Sequence, residues 1–329
     1  MLRIHFSGED LAATRLANTP DPLWEVSLSS HVLRTKRSDP LLAGWKQRVA
    51  TRLSPGSAMR NEVSLFITLN PAHGYFPDML TPHEASEGLD AGIDSILSLP
   101  KPRLRMEIEK LANAHGRVAP RVAEVGEGDP GALKELGTAM RAYHSAALDD
   151  VSDWVRTAFD ADRMLRAQAL LDGGVGALLD GLHPKVSFNG TVLEINDYNG
   201  DRDLYLSGRG LRLVPSFFKV PEVKPITLHD PELPQVLVYP VDRHAGLAAA
   251  AAREPLSALL GRTRASLLEA SVLGGSTTEL ARRVGISAPA ASQHLTVLRE
   301  AGLVISVRDA NVVRHTATAL GNAMLHGHP

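Results

Sequence analysis

The chain has 329 residues, 44% of them apolar and 22% charged, which suits two folded domains of roughly 100 to 200 residues each and excludes a chain too polar to fold. There is no cysteine, so a disulfide framework, a thiolate nucleophile and a cysteine-held zinc are all excluded. Formal charge is −2, yet the residues from Pro255 onward hold seven arginines against four carboxylates, so a mildly acidic body precedes a basic end suited to phosphate.

Residues 2–6 (LRIHF) alternate as a strand does. Ser7, followed by Glu9 and Asp10, suits a helix cap before LAATRLAN. Arg3, Glu9 and Asp10 also stand where a signal peptide needs an apolar run. The longest uncharged apolar stretch, Leu247 to Ala252, is far short of a membrane span of about 20 residues. A soluble, cytoplasmic chain with no membrane partner is expected. Helical spacing then dominates to about residue 181, in PLWEVSLSSHVL, PLLAGWKQRVATRL, EASEGLDAGIDSILSL, RLRMEIEKLANA, GALKELGTAMRAYHSAAL and a long run from Val151 to Leu182. Trp24, Trp45 and Trp154 read as core or interface anchors, with room for an apolar ligand pocket.

From Lys185 to Val241 the runs KVSFNGTVLEI, DLYLSGRGLRLVPSFF, PITLH and QVLVYPV are alternating or β-branched and separated by turn residues. They predict a small antiparallel sheet of hairpins, with SGRG (Ser207 to Gly210) as a turn between two strands. After Pro240 helical spacing returns, and a helix LSALLGRTRASLLEASVL leads to Gly274 and Gly275. In TTELARRVG, Thr277 or Thr278 can cap a short helix with Leu280, Ala281 and Val284 inward. Gly285 supplies a tight turn, Ala281 leaves room for a crossing helix, and Ile286 plugs the turn. Ser287 caps the next helix, where Pro289 is tolerated in the first turn. That helix turns Ala291, Leu295 and Leu298 inward. LVISVRD and VVRHTATA then form a hairpin, and TALGNAMLHG closes the domain as a helix.

Helix, helix-turn-helix, hairpin and terminal helix in that order make a winged helix. TTELARRVGIS, SQHLTVLREAGLV and VVRHTAT resemble the ArsR-type family of bacterial repressors over about residues 255–325. More loosely, SGRGLRLVPSFF, LVYPV and LLGRTRASLL resemble actinobacterial regulators with a long, uncharacterised amino-terminal half. The resemblance implies an α+β fold: a mainly helical amino-terminal domain with a small antiparallel sheet (1–245), then a winged helix-turn-helix domain (246–329). It implies double-stranded DNA as partner, bound by a homodimer on a near-palindromic site, with repression the expected outcome.

In such a module the second helix enters the major groove. Ser287, Ser292, Gln293 and His294 are then the candidates for base or phosphate contact, His294 serving otherwise as a hinge against the wing. Thr277, Thr278, Ala288 and Pro289 complete the DNA-facing set, and Arg308 and Arg314 on the wing strands are candidates for phosphate or the minor groove. Metal-sensing members place a cysteine pair where this chain reads Thr278-Glu279-Leu280-Ala281-Arg282. His315, His326 and His328 lack the paired spacing of a second metal site. No metal or other cofactor is expected, and any signal would be an organic effector read by the front half, through a helix from about Ala248 to Leu273. GxSxG, GxxxxGK[ST], HExxH and GxGxxG are absent, so no enzyme is expected. The alternative is an enzyme or interaction scaffold with an appended winged helix that does not bind DNA.

Overall fold

A computed structural model describes residues 1–36, 39–198, 200–243, 256–257, 259–309 and 312–326. The chain divides into two compact units, Met1–Arg243 and His244–Pro329.

The first unit begins with β1 (Leu2–His5), α1 (Gly8–Ala13), β2 (Arg15–Leu16) and α2 (Pro22–Arg34). Ser7 caps α1 in a reciprocal box with Asp10, and the helix stops at Ala13, so the expected turn through LAATRLAN is cut short by β2. Asp21 accepts from the main-chain N–H of Leu23 and Trp24, and Pro22 follows it in the first turn. With Leu23, Val26, Leu28, Ser27, Ser29 and Ser30 all buried, α2 has almost no solvent face. Small hydroxyl residues let its neighbours approach, and two of their donors turn back on the helix: Ser29 Oγ to Val26 O at 3.0 Å, Ser30 Oγ to Ser27 O at 2.9 Å.

Around α2 pack α3 (Ala43–Arg52), α4 (Ala58–Glu62), α5 (Ser64–Leu69), α6 (Leu89–Leu97), α7 (Lys101–His115), α8 (Pro120–Gly126), α9 (Pro130–Leu148) and α10 (Ser152–Asp180). The expected single helix at residues 84–99 is split by Gly88 at φ 136°, and α10 is kinked at Gly174, φ 68°. Trp24 and Trp45 are core residues, each 1% exposed. The Trp45 indole N–H donates to Ala147 O at 2.6 Å, tying α3 to α9.

β3 (Val186–Phe188), β4 (Val192–Ile195), β5 (Arg202–Tyr205), β6 (Arg212–Ser216) and β7 (Val236–Pro240) complete the unit. Here the expected antiparallel sheet of hairpins is found in part: β3 and β4 form the hairpin expected from KVSFNGTVLEI, but the strands fall into two sheets that include parallel pairs. One sheet has the order β3-β4-β1-β5, with β1 antiparallel to β4 and parallel to β5, and a second, β2-β6-β7, is wholly parallel. SGRG is therefore no hairpin turn. It carries the chain from one sheet to the other, with Ser207, Gly208 and Gly210 at φ 58°, 81° and 71°. A Cβ on Gly210 would lie 2.5 Å from the Ala13 carbonyl carbon, so only glycine passes there. PITLH forms no strand; Ile226 alone bridges to Val238.

Where β6 ends, the carboxylate of buried Glu25 accepts from the N–H of Phe217 (2.8 Å) and Phe218 (3.1 Å) and from Ser216 Oγ (3.0 Å). Arg243 donates to Phe217 O at 2.6 Å and Lys219 O at 3.0 Å and pairs with Asp39. Lys219 is buried beside this loop.

The second unit comprises α11 (Arg262–Ala270), β8 (Gly275–Ser276), α12 (Thr277–Val284), α13 (Ala288–Glu300), β9 (Val304–Asp309), β10 (Val312–Ala317) and α14 (Ala319–His326). β8, β10 and β9 form an antiparallel sheet in that order. The long helix expected through LLGRTRASLLEASVL is shorter: Gly261, φ 82°, heads α11, which ends at Ala270. Residues 248–255 of the expected lever helix lie outside the described residues. Leu267, Leu268, Leu280, Ala291, Leu295 and Leu298 form the core of this unit.

Candidate nucleic-acid interface

The helix-turn-helix is built by two caps and one turn. Ser276 Oγ accepts from Glu279 N at 3.3 Å, and Glu279 Oε2 accepts from Ser276 N at 2.8 Å. This capping box corrects the expected cap. Ser276 has the extended backbone of a cap (φ −71°, ψ 161°), whereas Thr277 and Thr278 already belong to α12. Gly285 adopts the left-handed conformation at φ 74°, ψ 32°, which costs a glycine little. The Ile286 N–H returns to Ala281 O at 3.0 Å, and Ala281 is buried at the crossing. Ser287 Oγ accepts from Ala290 N at 3.4 Å to start α13, with Pro289 in its first turn.

Ala291, Leu295 and Leu298 are buried on one side of α13. On the other, Ser287, Pro289, Ser292 and Gln293 are exposed; Ala288 and His294 are half-buried, Ala288 against the core of the unit. The amino-terminal half of α13 thus presents hydroxyls, an amide and small groups, while its acidic residue, Glu300, closes the far end. Thr278 is exposed at the start of α12. Thr277 is not a free donor: its hydroxyl lies 2.9 Å from His315 Nε2.

The hairpin separates the two wing arginines. Val304 pairs with Ala317, Ser306 with His315, and Arg308 with Val313, while Arg314 pairs with Val307. Side chains alternate across a strand, so Arg308 shares the face of His315 and the buried Val304 and Ala317, turned to the helices. Arg314 shares the opposite face with Ile305, Val307 and Val312, which are exposed. Hydrogen bonds from Ser276, with Arg314 and Arg283 adding to them, hold the Glu279 carboxyl below its ordinary range.

The histidine that joins these parts reads in the sequence only as a candidate metal ligand. His315, 7% exposed, sits between Thr277 Oγ1 and Ser306 Oγ, the latter 2.8 Å from Nδ1. It ties β9 and β10 to the first residue of α12. Burial, with Arg299 adding its charge, pushes its pKa below the usual value. Its phase with Ala317 in VVRHTATA was the available signal. Arg283 was also missed: it donates to Ala270 O (3.3 Å) and Gly274 O (2.9 Å), closing the end of α11. Among the described residues no three His, Asp or Glu side chains are grouped to hold a metal ion. The side chain of His326, and His328, lie outside the description.

Residues 276–306, from the Ser276 cap to the third residue of β9, match a family described as bacterial regulatory protein, arsR family. This segment is an ArsR-type helix-turn-helix. Such a domain implies double-stranded DNA as a partner and a part in transcription regulation. Neither the curated proteins nor the solved structures match the chain. The hairpin strand β10, α11 and α14 lie beyond the matched residues, as does the whole first unit.

Proposed function

We propose that the chain is a homodimeric, cytoplasmic transcription regulator, acting as a repressor, whose ArsR-type module reads a near-palindromic operator. The observation that carries this reading is the matched segment with its small, polar α13 face, Ser292 and Gln293 outward and nothing acidic in the first turns. Major-groove entry needs such a face, because base edges are reached by short donors and acceptors and repelled by carboxylates. One such helix contacts few base pairs, and two-fold proteins mirror two-fold DNA. Half-sites are therefore expected about 34 Å apart or a multiple of it. Ser287 and Thr278 contact phosphate at the two capped helix starts, where the helix dipole favours an anion. The first unit is proposed to sense an organic effector, a tenfold change in operator affinity corresponding to about 1.4 kcal/mol of coupling.

The test is selection of genomic fragments by the purified protein, followed by titration of the selected site at several salt concentrations. Affinity falling steeply with salt, and sedimentation as a dimer on the DNA, are expected. No selected site, or a monomer both free and on DNA, would falsify the reading. Binding to protein partners in place of DNA would favour an enzyme or scaffold with an appended winged helix.

A further inference from the structure

The first unit carries a basic stretch that its net charge conceals. Residues 34–60 contain seven lysines and arginines and a single acid, Asp39. Asp39 is occupied by Arg243, and Arg52 pairs with Asp150 at 2.6 Å. Arg34 donates to Ser30 O (2.9 Å), Ile67 O (3.1 Å) and Asn70 O. Arg60 donates to Leu53 O at 3.3 Å. These partners are neutral, and among the described residues no carboxylate lies within ion-pair distance of either guanidinium. Between them α2, α3, α4 and α5 leave a cleft of about 410 Å³, within the size range of small-molecule sites. Its floor is apolar, formed by Leu33, Leu53, Val63 and Ile67, and Arg34 and Arg60 stand on its wall.

We propose that this cleft binds an amphipathic organic anion, its apolar chain over Leu33, Leu53, Val63 and Ile67 and its charged head between Arg34 and Arg60. An apolar chain gains from leaving water. A head bearing oxygen anions supplies the charge-assisted partners that the two guanidinium groups lack. A neutral chain would leave those cations uncompensated, and a small hydrophilic anion would leave the floor wet. The inference deepens the effector reading above, giving the effector a place and a chemical class, but the binding itself needs no DNA.

Calorimetry of the full-length protein with sodium octanoate, octyl phosphate and octanol tests it. Saturable one-to-one binding of at least one of the two anions is expected, with octanol weaker by about tenfold or more. Ala50→Phe, at an exposed position on the cleft wall, should abolish that binding while leaving thermal unfolding unchanged. Arg60→Gln, which keeps a donor for Leu53 O, should weaken it about tenfold. Absence of saturable binding by both anions overturns the proposal. So does octanol binding as tightly as the anions, or anion binding that survives Ala50→Phe. If a duplex without operator sequence displaces the bound anion, the stretch is a nucleic-acid surface and the proposal also fails. Because the titrations contain no operator, a protein that binds octanoate but selects no DNA loses the regulator reading and keeps this site.

Discussion

His315 bonds in two directions from one ring, to Thr277 at the start of α12 and to Ser306 on β9. Removing the ring leaves both hydroxyls short of a partner in a poorly solvated place, so His315→Ala should cost about 1 to 3 kcal/mol of stability in the second unit. It should also weaken DNA binding by loosening the wing, measurable by denaturant unfolding and by operator titration. The pH sign follows from burial, which lowers the folded pKa below 6.5. The anchor is complete above that value and is lost as pH falls through it towards the folded pKa. Operator affinity should drop on acidification from pH 7.5 to 5.5, and the non-titrating His315→Gln should remove that part of the drop. On α13, Gln293→Ala is expected to lose about 1 to 3 kcal/mol at the selected site if the amide reads a base, with binding to random DNA unchanged. The hairpin register makes a sharper comparison possible. Arg308→Ala should reduce the salt dependence of binding more than Arg314→Ala, since Arg308 shares the strand face of His315 whereas the charge of Arg314 already acts on the Glu279 carboxyl. Equal effects would mean that the hairpin twists before it meets DNA.

At the scale of elements, Ser276→Ala removes one half of the capping box and should cost about 1 kcal/mol, whereas Thr278→Ala should cost far less. Thermal unfolding of the two variants distinguishes the cap found here from the cap expected. Gly210→Ala should be severe, because the added methyl meets the backbone of Ala13 and no side-chain rotation relieves it. Legibility followed locality. The helix-turn-helix was readable because its signals lie within a few residues of one another: the caps, Gly285 at the turn, and the spacing of Ala291, Leu295 and Leu298. The strands themselves were also readable from alternation and turn residues. Their partners were not, since β2 is two residues long and choosing β6 as its neighbour depends on a pairing nearly 200 residues away. The cap was misplaced by one residue because Ser276, Thr277 and Thr278 are all acceptable cap chemistries, and only backbone geometry separates them. His315 was overlooked because its two partners come from different elements. The cleft was invisible because its basic stretch is diluted by the acidic remainder of the unit.

For the molecule as a whole, three of the buried groups illustrate the dependence on pH, beside Asp21, Asp78 and Asp162, whose carboxyls burial also raises. Burial pushes the Glu25 carboxyl up to about 7, against the hydrogen bonds from Phe217 and Phe218. Burial likewise pushes His31 down to about 4 and Lys219 down to about 7. Between about pH 4.5 and 6.5 the first two oppose one another: stability from Glu25 is lost as pH rises, and stability from His31 is lost as pH falls. Lys219 acts alone of the three from pH 7 to about 10.5, where its contribution grows as the unfolded amine also loses its proton. The first unit should therefore be more stable at pH 9 than at pH 7, and Lys219→Met should flatten that rise in denaturant titrations. The order of its strands bears on how the chain emerges during synthesis. β1 is an inner strand, hydrogen-bonded to β4 on one side and β5 on the other. Residues 2–5 must therefore wait without a partner strand until β4 has been made, and without their second partner until Tyr205 has, with every described helix of the unit synthesised in between. Contacts of such sequence separation close late and slowly. A nascent chain stalled before β4 would expose Leu2, Ile4 and Phe6 with neither partner strand, which makes this short strand a segment for chaperones to protect.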